Sequence, residues 1–263
     1  MAVVTGASSG IGRELAAEFA RKGFDVVMAA EDAAVDRVAR AISGETVGTA
    51  KPVQADLATA PGVDALYAAV QALRRPVDAL AINAGVGVSG DFDRSTDLED
   101  ELRLIDLNVR SAVHLAKRIL PAMIERGRGR ILFTSSIAAT GPGPYQATYA
   151  ASKAFLFSFS EALRHELRGT GVTVTALLPG PTDTGFFERA GLENTRLGQM
   201  KSKDDPADVA RQGFDALMAG KDHVVTGSIR NRVQAGIAKI APETTKARMI
   251  GKLSEPRPDT DQS

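Results

Sequence analysis

Tyr149 and Lys153, in the run Tyr149-Ala150-Ala151-Ser152-Lys153, form the pair in this sequence best suited to moving a proton. At the start of a helix, residues four apart share one face. A free phenol has a pKa of about 10, so tyrosine is a poor base near neutrality unless a neighbouring cation favours the phenolate. Lys153 can supply that charge. A tyrosine placed this way can remove the proton of an alcohol or return one to a carbonyl oxygen. Ser136 adds a hydroxyl at the end of a candidate strand, where open α/β sheets place their ligands. Its neighbour Ser135 points to the opposite side by strand alternation and reads as a loop or cofactor contact.

A second constellation lies near the N-terminus. Thr5-Gly6-Ala7-Ser8-Ser9-Gly10-Ile11-Gly12 follows a strand-like run and opens a helix. Gly6 permits the turn, Gly10 lets the backbone approach a pyrophosphate, and Gly12 allows helix and sheet to pack closely. The N–H groups and dipole of the helix start then favour a bound phosphate.

Positioning these groups requires alternating strands and helices, and the sequence has that pattern. Candidate strands are Ala2 to Thr5, Asp25 to Ala29, Val47 to Ala55, Ala79 to Asn83, Arg130 to Ser135, Thr173 to Leu178 and His223 to Thr226. Helical stretches run from Ile11 to Lys22, Ala33 to Ile42, Gly62 to Leu73, Leu98 to Arg126, Ala147 to Arg168 and Pro206 to Ala219. The expected fold is a single α/β domain over residues 1–228, a doubly wound parallel sheet of seven strands with helices on both faces. Phe155, Phe159, Ala162 and Leu163 recur at helical spacing and predict the buried face of their helix.

Asp183 to Asp205 carries Phe186, Phe187, Leu192, Leu197 and Met200 and reads as an apolar lid, with Gly87 to Asp97 as the opposite wall. Residues 229–253 form a C-terminal amphipathic extension. In it Val233, Ile237 and Ile240 make an apolar stripe among Arg230, Arg232 and Lys239, expected to pack on the domain or a partner subunit. Residues 254–263 read as a disordered tail.

With 32 basic and 32 acidic residues the chain has no long-range field for nucleic acid. It has no cysteine, which excludes disulfides, thiolate metal ligands and a cysteine nucleophile. His114, His165 and His223 lack metal-ligand spacing, so no metal is expected. No apolar run approaches the ~20 residues of a membrane span, and a cytoplasmic location is the expectation.

These motifs together resemble the short-chain dehydrogenase/reductase family, from about Val3 to Thr226. The resemblance implies a Rossmann-type fold and an NAD(P)-dependent oxidoreductase that moves a hydride between nicotinamide and an alcohol or carbonyl carbon. It implies a catalytic set of Asn108, Ser136, Tyr149 and Lys153, with Ser136 bonding the reacting oxygen and Asn108 holding a proton-relay water. It places Asp56 and Leu57 at the adenine, and Asn83, Ala84 and Gly85 along the cofactor. Ile82 stands where the family usually has a further asparagine.

By the same resemblance Lys153 binds the nicotinamide ribose, and Pro179, Gly180, Thr182 and Thr184 match the segment that meets the carboxamide or pyrophosphate. Glu31, with Asp32, puts negative charge where the 2′-phosphate of NADP would sit, a slight lean to NAD. Arg13 and Arg37 are near enough in sequence to offset it. A small-molecule substrate of hydrophobic character and a homodimer or homotetramer follow as expectations. A non-catalytic NAD(P)-binding regulator and an epimerase or dehydratase on the same fold stay open as alternatives.

Overall fold

The structure, a computed structural model, describes residues 1–200, 202–227 and 242–255. Seven parallel strands form one sheet in the order β3-β2-β1-β4-β5-β6-β7. They are β1 (Ala2–Thr5), β2 (Val26–Ala30), β3 (Ala50–Gln54), β4 (Ala79–Ile82), β5 (Gly129–Thr134), β6 (Val172–Leu178) and β7 (His223–Val225). The inner strands are near-continuous apolar runs because both faces of a parallel sheet are covered. β3, at the edge, carries Lys51 and Pro52 and is only partly buried, as an edge strand tolerates.

Consecutive residues of each strand feed opposite cores. On one face Val3, Leu80, Ile131 and Phe133 pack with α3 (Ala60–Ala72), α5 (Ser111–Glu125) and α6 (Ala147–Glu166). On the other, Val4, Ala81 and Leu132 pack with α1 (Gly10–Arg21), α2 (Ala34–Glu45) and α8 (Pro206–Met218). There Phe19 and Phe214 meet edge to face at 5.1 Å, joining α1 to α8.

The helix expected from Leu98 to Arg126 is one continuous path with an interruption. α4 (Leu98–Ile105) passes into a π-helical turn, Asp106–Arg110, before α5. Such turns widen the helix by one residue and concentrate at functional sites. This one contains Asn108.

The prediction for α6 is corrected in part: Phe159 and Leu163 do pack against the core. Phe155 and Ala162 are exposed, and the buried face is Ser152, Lys153, Leu156 and Ser160. Ser152 and Ser160 donate to carbonyls of their own helix, Tyr149 and Phe157, so these small polar side chains are buried without loss.

Two further helices lie outside the six stretches, the second of them within the C-terminal extension expected to be helical over residues 229–253. α7 (Phe186–Arg189) sits in the lid segment, and α9 (Glu243–Ser254) follows Pro242. Ser254, expected to open a tail, closes α9 and is fully buried, its hydroxyl bonded by Gln146. The stripe Val233, Ile237 and Ile240, and residues 256–263, lie outside the described residues.

Candidate active site

β1 and β4 are neighbours although β2 and β3 intervene in sequence, so the chain reverses direction across the sheet at this point. In doubly wound sheets ligands bind at the C-terminal strand ends of such a switch point. Thr5 at the end of β1 ties the two sides together. Its hydroxyl accepts the backbone N–H of Asn83 and of Ala84, both at 2.9 Å, and its carbonyl accepts the Asn83 amide at 3.1 Å. Sequence reading treated Thr5 only as the residue before the glycines.

The glycine loop fits a pyrophosphate. Gly6 and Gly10 have φ of 64° and 54°, which side-chain-bearing residues rarely adopt. A Cβ on Gly12 would lie 2.1 Å from the Gly6 carbonyl. Ser9 begins α1 without a side-chain capping bond, leaving the helix start to a ligand. Ile11 is partly buried against the core, so it contributes backbone. Ser8 donates to Asp32 at 2.6 Å, and Asp32 also accepts the Ala34 N–H.

At the adenosine end the structure brings together Glu31, Asp56 and a residue the sequence reading missed. Arg103 of α4 donates to both oxygens of Asp56, at 3.1 and 3.2 Å, and to Glu31 Oε1 at 2.8 Å. The Asp56 bond and the neighbouring carboxylates hold the guanidinium above its ordinary pKa. No local spacing announces this contact, because α4 reaches it only through the fold. Leu57 is buried in the core, so its side chain serves packing.

At the reacting end Tyr149 and Lys153 are both buried. The Ser136 hydroxyl hydrogen-bonds the Tyr149 phenol. Burial nonetheless pushes that phenol up to about 12, an effect the Ser136 bond opposes. Burial pushes the Lys153 ammonium down to about 8. Its nitrogen lies 5.7 Å from the Tyr149 ring centre and donates to the Thr134 carbonyl at 3.0 Å. The phenol therefore shifts upward, where Lys153 was expected to lower it: burial is the largest influence.

Asn108 holds the floor of the site. Its amide exchanges bonds with the Val86 N–H and C=O, both at 2.9 Å, and donates to Ser152 at 3.0 Å. A Cβ on Gly85 would lie 3.0 Å from Asn108 Oδ1 and 3.1 Å from Lys153 Nζ, so a side chain there would press on both groups and require them to shift. Ser135 donates to the Lys153 carbonyl at 2.7 Å and anchors α6 to the end of β5.

The segment after β6 divides similarly. Pro179 accepts the Ile137 N–H, and buried Thr182 donates to the Gly180 carbonyl, so these two serve the backbone. Thr184 lies against Gly10, where a Cβ would be 3.0 Å from its methyl group. Thr184 is thus the threonine at the phosphate loop.

Phe186 of α7 tilts over Tyr149 with ring centres 5.3 Å apart. Phe187 and Leu192 instead form a small core of their own with Ala190. A Cβ on Gly87 would lie 2.7 Å from the Phe186 ring, which puts that loop opposite the lid. α9 closes a third side: Leu197 donates its N–H to Leu253, and Lys246 reaches the Thr140 carbonyl at 3.5 Å.

Away from this cleft, at the start of β7, His223 stands with Glu161 and Asp222. Their ligand atoms lie within 4.8 Å of one another. Sequence spacing gave no sign of that cluster.

A doubly wound parallel sheet, a glycine loop at its switch point and a buried Tyr–Ser–Lys set define a dinucleotide-dependent oxidoreductase. The family model for short chain dehydrogenase matches residues 1–194, and the chain belongs to that family. A short chain dehydrogenase of Pseudocercospora fijiensis is 37% identical over 185 residues, 70% of this chain and 60% of its own length. A short-chain dehydrogenase from Sphingobium yanoikuyae in complex with NADPH matches with a TM-score of 0.80 at 28% identity, covering 100% of this chain and 97% of that one. A 3-ketoacyl-(acyl-carrier-protein) reductase from Brucella melitensis complexed with NADH matches with a TM-score of 0.77 at 28% identity, covering 88% and 97%. Fold and site are those of an NAD(P)-dependent enzyme working between CH–OH and C=O.

Proposed function

We propose that this protein interconverts an alcohol and a carbonyl group on a small, hydrophobic molecule, with Tyr149 as the general acid and base. The observation that carries this reading is the buried Tyr149 phenol, bonded by Ser136 and flanked by Lys153. Bound nicotinamide supplies or accepts the hydride. Gly6, Ser8, Ser9, Gly10, Ile11, Gly12 and Thr184 would hold its pyrophosphate, Asn83, Ala84, Gly85 and Lys153 its nicotinamide half, and Glu31 and Asp56 its adenosine.

Ser136 fixes the substrate oxygen beside the phenol, and a phenol that stays protonated to about 12 is ready to donate to it. Asn108 keeps the Val86 loop and Ser152 in register, and its π-helical turn offers backbone for a relay water next to Lys153. Phe186, over the phenol, excludes bulk water and favours an apolar substrate. Residues 183–205 act as the lid on a catalytic unit spanning residues 1–228.

The carboxylates of Glu31 and Asp32 favour NAD over NADP. The exposed stripe Leu98, Leu102 and Ile105 on α4, with Val113 on α5 and Phe155 on α6, supports a homodimer or homotetramer. Light scattering that shows a monomer at micromolar concentration overturns that assembly. Among the described residues no helix is long and apolar enough to cross a membrane, and the neutral, cysteine-free chain fits the cytoplasm.

The test is fluorescence titration with NADH and NADPH in parallel, then a hydride-transfer screen of alcohols and carbonyls, wild type against Tyr149→Phe. Retained binding with lost turnover is expected. Failure to bind either dinucleotide overturns the reading, and binding with no turnover on any substrate favours a regulator.

A further inference from the structure

The adenosine end of the cleft is edged by three carboxylates, Glu31, Asp32 and Asp56. Asp32 is occupied within its own loop, by Ser8 and the Ala34 N–H. Glu31 and Asp56 share Arg103, a residue 72 positions from the first and 47 from the second. The two Asp56 bonds form a fork on Nη1 and Nη2, while a single bond from Nη2 reaches Glu31. A guanidinium has five N–H donors, so three remain while the Asp56 fork stays closed, one of them the donor that reaches Glu31. Glu31 is 64% exposed at its side chain and can swing away, whereas Asp56 is only 32% exposed and is held by the Ala58 N–H as well.

We propose that Arg103 is a cofactor-selecting residue: anchored by Asp56, it turns from Glu31 to the 2′-phosphate of NADP(H), and so lets an acidic site accept both dinucleotides. This rests on the reading of the cleft as a dinucleotide site and deepens it. A doubly charged phosphate set among Glu31, Asp32 and Asp56 is strongly disfavoured by like charge. One guanidinium already fixed beside it offers charge-assisted bonds that offset that repulsion. A 2′-hydroxyl needs no such partner and can meet Glu31 directly. Arg103 therefore governs NADPH far more than NADH. Arg13, by contrast, pairs with Glu14, so it is not the expected phosphate partner.

The experiment is titration of the full chain with NADH and NADPH, wild type beside Arg103→Ala and Arg103→Lys, at two salt concentrations, with melting temperatures as a folding control. The wild type is expected to bind both. In Arg103→Ala the dissociation constant for NADPH rises about tenfold or more while that for NADH changes by no more than about threefold. Arg103→Lys, which keeps the charge and loses the fork, falls between. The salt dependence of NADPH binding weakens in Arg103→Ala. Equal loss for both dinucleotides, or an unchanged NADPH constant, overturns the role of Arg103 and leaves the dinucleotide site standing. Binding of neither by the wild type overturns both.

Discussion

The Lys153 ammonium lies 5.7 Å from the centre of the Tyr149 ring, and both residues are buried on the same face of α6. Burial acts oppositely on the two, raising the phenol to about 12 and lowering the ammonium to about 8. Between those values the favoured state is a neutral phenol beside a neutral amine. Below about 8 it is a neutral phenol beside a cation. The site is therefore an acid at ordinary pH and needs extra positive charge to become a base.

Carbonyl reduction in Tyr149→Phe is expected to fall by about 10²- to 10⁴-fold in kcat, the usual contribution of a positioned acid. Dinucleotide affinity should hold within about threefold, because the phenol is bonded to Ser136 and not to the glycine loop. Single-turnover kinetics on the preformed dinucleotide complex checks this. A variant as fast as wild type removes Tyr149 from the chemistry.

For Lys153 the pH sign can be worked out. Its folded value of about 8 lies below the ordinary lysine value of 10.5, so between them the unfolded chain holds a proton the folded chain lacks. Stability thus rises with pH across that window, and the lysine costs the fold about 3 kcal/mol below it. Lys153→Met removes the cost but forfeits the bond to Thr134. The variant should be inactive yet about 1–2 kcal/mol more stable at pH 7, with the gain fading towards pH 10.5. Urea unfolding at a series of pH values reads it, and a gain independent of pH would contradict the buried charge.

Asn108→Ala is expected to cost about 2–3 kcal/mol, since it leaves the Val86 N–H and C=O and the Ser152 hydroxyl to find new partners in a buried setting. Activity should fall further than the stability loss explains, because the Val86 loop carries Gly85 past Lys153. Ser152→Ala removes only one of those bonds and should be the milder change in both readouts. If both variants lose activity only in proportion to folded fraction, Asn108 is structural alone.

Much of this site was legible because its signals are local. Tyr149 with Lys153, and Gly6 with Gly10 and Gly12, span less than two helical turns each, where spacing alone fixes geometry. What failed was read from hydrophobicity or depended on contacts between distant elements. Phe155 was taken as buried because it recurs at helical spacing with other apolar residues, but the face of α6 that turns inward carries Ser152, Leu156 and Ser160. The π-helical turn at Asn108 adds a single residue to one turn, a phase shift too short for an apolar pattern read over the long helical stretch to reveal. Arg103 meets Glu31 and Asp56 only after α4 is laid across the strand ends. No window of sequence contains that triad.

The docking of α9 yields the last prediction. Its buried Ser254 receives the Gln146 amide at 3.1 Å, only three residues before Tyr149, and its Leu253 carbonyl receives the Leu197 N–H from the lid segment. Gly251 and Gly141 lie against Pro144 and Lys246 in turn, so the loop carrying Ser136 to Tyr149 has α9 as its outer support. Truncation after residue 242 should leave the sheet and its two cores intact, since none of their buried residues comes from α9. The melting temperature is expected to change by only a few degrees, while the lid and the Ser136–Tyr149 loop lose support on the same side. A bulky substrate should then show a KM raised about tenfold with dinucleotide affinity unchanged, because the glycine loop lies across the cleft. An unaltered KM would mean that α9 packs on the site without shaping it.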